Sequence, residues 1–202
     1  MKQTLQNRFP RRWLLLAFVL NFAIAAAALL PYMIRDGGLL LVAADFDAEQ
    51  LSYNMLCNNA IKSGEVLWNW RIDIGSDFVS SFSFYTLGSP FFWLTLLVPA
   101  RFMPWMMVPL LCLKIALAGG GGYLWARRWV RDEDWSMLAG CLYAFSGFTV
   151  YNIFFNHFLD VVALFPYMLA ALDDAVIDGR KGRFPFWVAV NLLNNYFFFA
   201  GQ

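Results

Sequence analysis

The sequence predicts an all-α polytopic membrane protein, a bundle of membrane-spanning helices whose first outer loop is long. Two features of the composition predict it: 60% of the 202 residues are apolar and only 14% are charged. A soluble domain is closer to half apolar and a quarter charged. The third observation is that several apolar segments are long enough to cross a bilayer. The sequence contains no basic stripe of the kind that binds nucleic acid, so a nucleic-acid partner is not expected.

The first apolar segment runs from Trp13 to Ile34 and carries no charge. At 1.5 Å per residue it measures about 30 Å, which is the thickness of a bilayer core. A cleaved signal peptide is the alternative interpretation, because Ala25-Ala26-Ala27 resembles a cleavage site. The length of the run and the apolar segments that follow it favour a span that is retained.

Four further spans are predicted at 104–126, 136–155, 158–173 and 184–202. Basic residues set the orientation, because cytoplasmic loops carry an excess of lysine and arginine. With five crossings and a cytoplasmic N-terminus, all three basic clusters face the cytoplasm. We therefore predict a multi-pass protein of the bacterial plasma membrane in that orientation. The clusters are Arg8, Arg11 and Arg12 before span one, Arg127, Arg128 and Arg131 after span two, and Arg180, Lys181 and Arg183 before span five.

The chain reads as one transmembrane domain, 1–202. Its fifth span reaches the last residue without a polar flank. We therefore expect the chain to be the N-terminal portion of a longer protein.

The predicted outer loop runs from 35 to 103, which is long for a connector. Its apolar stretch 84–100 is short and contains Pro90 and Pro99. Counting this stretch as a crossing would place the arginines after span two outside, so we interpret it as an interfacial or half-buried helix. The loop carries seven acidic residues (Asp36, Asp45, Asp47, Glu49, Glu65, Asp73, Asp77) and four basic ones (Arg35, Lys62, Arg71, Arg101).

One helix inside the loop is predicted from the signals at its two ends. Asp47 and Gln50 have the spacing of a capping box, which would place Asp47 at the N-cap. The helix would then run from about 48 to 62 and stop at Gly64, where glycine supplies the left-handed conformation.

Asp45 and Asp47 are the first candidates for chemistry. Two carboxylates at the outer end of span one could act as a general base or bind a divalent cation. Asp47 also has a structural interpretation as an N-cap, and Asp45 could be a solvated loop carboxylate. Because the predicted helix gives Asp45 no structural role, Asp45 is the better catalytic candidate.

His157 is the only histidine and lies with Asp160 at the outer turn between spans three and four. Residues three apart on a helix share a face, so the pair could form a second polar wall of one extracytoplasmic cavity. The alternative is that Asp160 caps span four and complements its dipole.

Lys114 lies in the middle of span two, where a lysine is costly unless it is paired or hydrated. Helical side chains point toward the N-terminus, so Lys114 should reach outward, toward a lipid phosphate. A carboxylate partner that serves packing alone is the alternative. Further along the same span, Gly119 to Gly122 predict close helix contact; no GK[ST] follows, so a phosphate loop is not expected.

An ordered set of motifs, from about residue 30 to the end, resembles bacterial YfhO-type membrane proteins. The motifs are Asp45-Phe46-Asp47-Ala48-Glu49-Gln50, Lys62-Ser63-Gly64-Glu65, Trp68-Asn69-Trp70, Phe82-Ser83-Phe84-Tyr85-Thr86-Leu87-Gly88-Ser89-Pro90-Phe91-Phe92, Leu142-Tyr143-Ala144-Phe145-Ser146-Gly147-Phe148, Phe155-Asn156-His157-Phe158 and Asn195-Tyr196-Phe197-Phe198-Phe199. That family is similar to the C-type (GT-C) membrane glycosyltransferases. The resemblance implies a GT-C-like helical bundle whose first extracytoplasmic loop contains interfacial helices.

The resemblance also implies an activity. Such proteins take a sugar from a polyprenyl-phosphate carrier and transfer it, outside the membrane, to a cell-envelope polymer such as teichoic acid. Asp45 stands at the position of the family's key Asp. Asp47 stands where the family more often has Asn, and Leu159 where close relatives often have His.

The leading prediction is therefore an integral membrane glycosyltransferase in which Asp45 is catalytic. Lys114 would compensate the carrier phosphate, and the remaining substrate-binding candidates are Asp47, Gln50, His157 and Asp160. The cofactor stays open, with a divalent cation at Asp45 and Asp47 as the one candidate. The expected partners are the bilayer, a polyprenyl-phosphate-linked sugar and a glycopolymer acceptor. The alternative is a non-enzymatic membrane protein that transports lipid-linked sugar or assists a separate transferase.

Overall fold

The computed structural model describes residues 11–42 and 44–201 of this protein. Over these residues it is an all-α membrane protein with one small β-hairpin. The α-helices are α1 Arg11–Arg35, α2 Leu51–Ser63, α3 Phe78–Phe82, α4 Pro90–Thr95, α5 Met103–Ala126, α6 Glu133–Ala144, α7 Gly147–Tyr151, α8 Phe158–Val176, α9 Arg183–Asn194 and α10 Tyr196–Phe199. The hairpin pairs β1 Trp68–Asn69 with β2 Ser76–Asp77 in antiparallel register.

Three segments of the part described are helices long and apolar enough to cross a membrane: Arg11–Arg35, Ala100–Ala126 and Glu133–Phe154. The first two contain the predicted spans 13–34 and 104–126. The third overlaps most of the predicted span 136–155, although the helix breaks between Ala144 and Gly147. Of the N-terminal basic cluster, Arg8 lies outside the described residues.

The segments predicted as spans four and five form helices that are more acidic or shorter than the three membrane-length segments. α8 carries Asp160, Asp173 and Asp174 among its 19 residues. α9 has only 12 residues, and the chain unwinds at Asn195 before α10. The number of crossings therefore stays a prediction beyond the three segments above.

α5 lies at the centre of the bundle and packs against α1, α6 and α8. Glycines make these contacts close. A Cβ atom on Gly119 would lie 2.2 Å from the Asn21 side chain of α1, and one on Gly140 of α6 would lie 2.5 Å from the Gly119 carbonyl oxygen. The prediction that the glycine run of α5 allows close helix contact is confirmed.

We expect Gly140→Ala to destabilise the bundle by about 1–3 kcal/mol, because the new methyl group would meet helical backbone that cannot turn away. The intrinsic gain of alanine in a helix, about 1 kcal/mol, offsets only part of this. The unfolding midpoint in mixed micelles measures the change. Gly147→Ala is the matched control, because nothing lies within 4 Å of its added Cβ. Equal midpoints for the two variants would contradict close packing at Gly140.

The outer loop forms a layer with its own apolar core. Buried side chains from α2, α3 and α4 meet there, and the Asn58 side-chain amide donates to the Thr95 carbonyl at 2.8 Å. The core consists of Cys57, Ala60, Phe78, Phe82 and Phe92. The segment predicted as the outer loop is therefore a folded unit that packs on the N-terminal end of α5, rather than a passive connector.

The start of the loop helix differs from the capping-box prediction, and the placement of Asp47 at the N-cap is wrong. The chain turns into the helix two residues earlier, after Ala44 with φ 68°, and forms a wide π-helical turn, Phe46–Gln50, before α2. Asp47 lies inside that turn. Phe46 is 1% exposed, so burying its ring draws the chain into the helix before Asp47. The other end is as predicted: Gly64, with φ 79°, caps α2 in the left-handed conformation.

The apolar stretch 84–100 contains a π-helical turn, Ser83–Leu87, and the short helix α4. The Ser89 hydroxyl accepts a hydrogen bond from the Phe92 amide, and Pro90 occupies the first turn, where its missing N–H costs nothing. This stretch turns back on the loop core, which brings Ser89 and Tyr85 to the bundle.

Candidate functional site

A small cavity lies where the outer loop meets the bundle, and its lining is mostly polar for so apolar a protein. The loop supplies one half of the lining and the helices supply the other. The loop residues are Gln50, Asn54, Tyr85, Ser89, Phe91 and Phe92; the bundle residues are Met107, Leu110, Lys114, Asn156, His157 and Asp160. Four of the predicted site residues thus meet in one place: Gln50, Lys114, His157 and Asp160.

Lys114 and Asp160 form the buried ion pair of this cavity. Lys114 Nζ lies 2.5 Å from Asp160 Oδ1, and the two side chains are 4% and 2% exposed. The ammonium also donates to the backbone oxygen and to Oδ1 of Asn156, both at 2.9 Å. The ammonium thus has one ion-pair partner, Asp160, and two hydrogen-bond acceptors, both on Asn156. Of the two interpretations of Lys114, the carboxylate pair is present, and contact with a lipid phosphate would require this pair to open.

Asp160 is positioned from two sides. The Ser89 side chain of the loop lies close enough to interact with its carboxylate, and the Lys114 ammonium of α5 pairs with it. His157, and not Asp160, occupies the N-cap position of α8, and no side chain caps that helix. The interpretation of Asp160 as the cap of span four is therefore wrong. The carboxylate instead ties the loop, α5 and α8 together.

His157 lies in an aromatic cage. Its ring centroid is 5.0 Å from that of Phe84, 5.2 Å from Tyr85 and 4.5 Å from Phe158. The side chain is only 5% exposed. Burial, and then the nearby Lys114 ammonium, lower the pKa of His157 from 6.5 to about 4. The imidazole is therefore neutral at pH 7, with one nitrogen that donates a hydrogen bond and one that accepts.

Neither ring nitrogen of His157 has a hydrogen-bond partner among residues 11–42 and 44–201, although both are buried. Buried polar atoms in proteins are nearly always satisfied. The predicted i, i+3 pairing of His157 with Asp160 does not extend to a hydrogen bond between them. The free donor and acceptor of the imidazole therefore suit a hydroxylated ligand in the cavity.

The lowered pKa of His157 predicts how stability depends on pH. Between about pH 6.5 and 4 the unfolded chain binds a proton at His157 and the folded chain does not. Stability should therefore be full above pH 6.5 and fall on acidification, by at most about 1.4 kcal/mol per pH unit from this group. Unfolding midpoints of the native chain and His157→Gln across this range measure it. Parallel curves for the two proteins would contradict the buried neutral imidazole.

Asp45 and Asp47 do not line this cavity. Asp45, Glu49 and Asp73 lie close enough to Tyr53 to help raise the pKa of its phenol, after the larger effect of burial. From Tyr53, ring contacts lead inward: the Tyr53 and Tyr85 centroids are 5.2 Å apart, and so are those of Tyr85 and His157. Asp45, Glu49 and Asp73 form an acidic cluster beside Tyr53. The ring contacts of Tyr53 and Tyr85 thus connect this acidic cluster to His157 in the cavity.

The carboxylates do not fit a cation site on their own. Asp45 and Asp47 are two residues apart on a helical turn, and residues at this spacing do not face each other. Over the ranges described, no group of three or more His, Cys, Asp or Glu side chains lies close enough together to hold a metal. We therefore assign no step to a bound cation.

Several residues of the cavity escape prediction from sequence. Asn54 is 7% exposed and donates to the Gln50 carbonyl at 2.6 Å, and Asn156 holds Lys114. Ser89 and Tyr85 join them from the loop. The motif Phe155-Asn156-His157 is visible in the sequence, but only its histidine stands out there. Polar residues within the aromatic motifs are the signal that could have found the others.

A family model described as bacterial membrane protein YfhO matches residues 16–199. The chain belongs to the YfhO family. The match includes α1 from Leu16 onward, the whole predicted outer loop, the cavity and all six predicted site residues. No curated protein and no solved structure matches the chain. As a YfhO-family protein with three membrane-length apolar helices, it is a membrane protein associated with the lipid bilayer. The resemblance seen in the sequence is confirmed.

Proposed function

We propose that this YfhO-family chain acts as a GT-C-type membrane glycosyltransferase that transfers a sugar from a polyprenyl-phosphate carrier to a cell-envelope polymer such as teichoic acid. The observation that carries the proposal is the polar cavity between the predicted outer loop and the bundle. It holds a neutral histidine whose two nitrogens have no hydrogen-bond partner in the part of the chain that the structure describes. A sugar offers many hydroxyl groups, each able to donate and accept. The site lies at the extracytoplasmic face if the N-terminus is cytoplasmic, as the basic clusters favour.

In the proposed reaction, the acceptor hydroxyl oxygen attacks the anomeric carbon of the carrier-linked sugar. The bond between that carbon and the phosphate oxygen breaks, and polyprenyl phosphate leaves with the bonding electrons. Asp45 takes the proton of the attacking hydroxyl as general base. Its carboxylate is half-buried and has no capping hydrogen bond in the helical turn that follows it, so it is available for this role.

His157 and Gln50 are the proposed sugar-binding residues. The neutral imidazole donates to one hydroxyl and accepts from another. Gln50 is 1% exposed and its side-chain nitrogen has no partner among the residues described, so it can donate as well. Asp47, on the same turn as Gln50, would bind a sugar hydroxyl at the edge of the acidic cluster. Since unpaired buried groups are costly, a sugar that satisfies them gains both affinity and orientation.

In this proposal Lys114 and Asp160 are positioning residues, which hold other residues of the site in place. Because the ammonium donates two hydrogen bonds to Asn156, it holds that residue, and hence the turn that carries His157. Asp160 holds Ser89, and hence the loop segment that carries Tyr85. Opening of the ion pair would be needed before Lys114 could compensate the carrier phosphate.

The test is a transfer assay with the purified protein in nanodiscs, a polyprenyl-phosphate-linked radiolabelled sugar and a teichoic-acid acceptor. The proposal predicts label in the polymer and release of polyprenyl phosphate in equal amount. The rival function, transport of lipid-linked sugar or assistance to a separate transferase, predicts that the lipid-linked sugar binds or crosses the membrane without being consumed. Binding without consumption would overturn the proposal.

A further inference from the structure

A second cavity lies at the opposite end of α5 from His157. It is open to solvent and lies between the C-terminal ends of α5 and α8 and the start of α9. Four arginines and one aspartate line it, together with two tryptophans. These residues are Arg127, Arg128, Arg180, Arg183, Asp174, Trp125 and Trp187.

The charges of this cavity converge on one carboxylate. Asp174, whose side chain is 9% exposed, lies 3.3 Å from Arg128, 2.7 Å from Arg180 and 3.6 Å from Arg183. Asp178, which is more exposed, pairs with Arg128 at 2.9 Å and with Arg180 at 2.6 Å. Three guanidinium groups and two carboxylates thus form one cluster, in which the arginines outnumber the aspartates by one.

Guanidinium groups suit phosphate oxygens, because their planar N–H groups can bond two oxygens at once. Three guanidinium groups carry more N–H donors than Asp174 and Asp178 can accept, so the cluster can also bind a further anion. The start of α9 adds the positive end of its dipole. The chemistry of the cavity is therefore that of a phosphate site.

The rim of the cavity indicates where the phosphate comes from. Trp187 stacks on Tyr167 with ring centroids 5.0 Å apart, and Trp125 is 38% exposed beside it. Trp129 and Phe186, nearby in the chain, are each 60% exposed. Such amphipathic and apolar side chains belong at the membrane–water boundary, and basic pockets between helices there bind lipid headgroups.

We propose that this arginine cavity binds the phosphate headgroup of an anionic membrane lipid. The proposal is independent of the glycosyltransferase function, because the cavity shares no residue with the His157 site. By the positive-inside pattern, this end of α5 faces the cytoplasm, so the lipid would come from the inner leaflet. The bound headgroup would join α5, α8 and α9 through their shared arginines.

The experiment titrates short-chain phosphatidylglycerol into the detergent-purified whole chain and follows the thermal unfolding midpoint. Phosphatidylcholine and inorganic phosphate are the comparison ligands. We expect phosphatidylglycerol to raise the midpoint and phosphatidylcholine to leave it unchanged. Arg180→Gln should weaken phosphatidylglycerol binding by about fivefold or more. Asp174→Asn should strengthen phosphatidylglycerol binding, because the competing carboxylate is gone. A folding defect would instead weaken binding, so the two effects can be told apart.

Arg131→Gln is the matched control. It also removes one positive charge at the end of the bundle where α5 ends, but from an exposed residue outside the cavity. Equal weakening by Arg131→Gln and Arg180→Gln would show general surface attraction and overturn the proposal. Protection by inorganic phosphate as large as that by phosphatidylglycerol would overturn the lipid as the source of the phosphate. Weaker binding in Asp174→Asn would overturn the anion site itself.

Discussion

Replacing Asp45 with Asn should reduce sugar transfer by about 10²–10⁴-fold, which is the range for loss of a positioned general base. Asn keeps the size of the side chain but cannot take the proton of the acceptor hydroxyl. Because Asp45 is only half-buried and makes no capping hydrogen bond, the protein should fold as before. The initial rate of transfer at saturating lipid-linked sugar, compared at equal amounts of folded protein, measures the effect.

Asp77→Asn is the matched control for this variant. It makes the same chemical change in the same loop, and Asn can still accept the hydrogen bond that Asp77 takes from the Ser80 amide at 2.7 Å, because Asn is an equally good N-cap. Its transfer rate should stay close to that of the native protein. A full rate for Asp45→Asn would remove Asp45 from the mechanism, and an equal loss in both variants would assign the effect to loop charge.

Replacing Lys114 with Met should destabilise the fold by about 3–5 kcal/mol, the cost of leaving one member of a buried ion pair without its partner. Asp160 is 2% exposed and would become a buried carboxylate without its ammonium partner. Unfolding in mixed detergent micelles, followed by tryptophan fluorescence, measures the loss. The double variant Lys114→Met with Asp160→Asn should recover most of it, because no buried charge is left over.

The exposed pair of Arg71 and Glu65, 3.9 Å apart, provides the control. Arg71→Met should cost less than about 1 kcal/mol, because water screens surface ion pairs. An unfolding midpoint in Lys114→Met as high as in Arg71→Met would contradict the buried pair. A double variant no more stable than the single one would show that the two residues do not act together.

Features that depend on local chain chemistry could be predicted from the sequence. Trp13 to Ile34 reads as a membrane-length helix because an uncharged run of that length has few other outcomes in a protein this apolar. Gly64 predicts the end of α2 because the left-handed position favours glycine, and the glycines of α5 predict close packing. In each case the signal lies within a few residues of the feature.

Features that depend on distant residues could not be predicted. Nothing local indicates that Lys114 would meet Asp160 and Asn156, which come from another helix and its preceding turn. The capping-box pattern at Asp47 failed for a related reason: burial of Phe46 against the bundle fixes where the helix begins, and spacing alone carries no information about that burial. The polar cavity likewise depends on how the loop folds back, so the sequence could nominate Gln50 and His157 but not their neighbours Asn54 and Ser89.

The central claim is that the loop carrying Asp45 and the arginine cavity lie on opposite sides of the membrane, with the sugar chemistry outside. Cysteine labelling in intact bacteria with a membrane-impermeant maleimide tests it most directly. Ser52→Cys, exposed on α2, and Lys181→Cys, exposed between α8 and α9, report the two sides. The native chain, with Cys57 and Cys112 buried and Cys141 half-buried, gives the background labelling to be subtracted. The account predicts that Ser52→Cys is labelled in intact cells and that Lys181→Cys is labelled only after the cells are opened. Labelling of Lys181→Cys in intact cells, with Ser52→Cys protected, would contradict it.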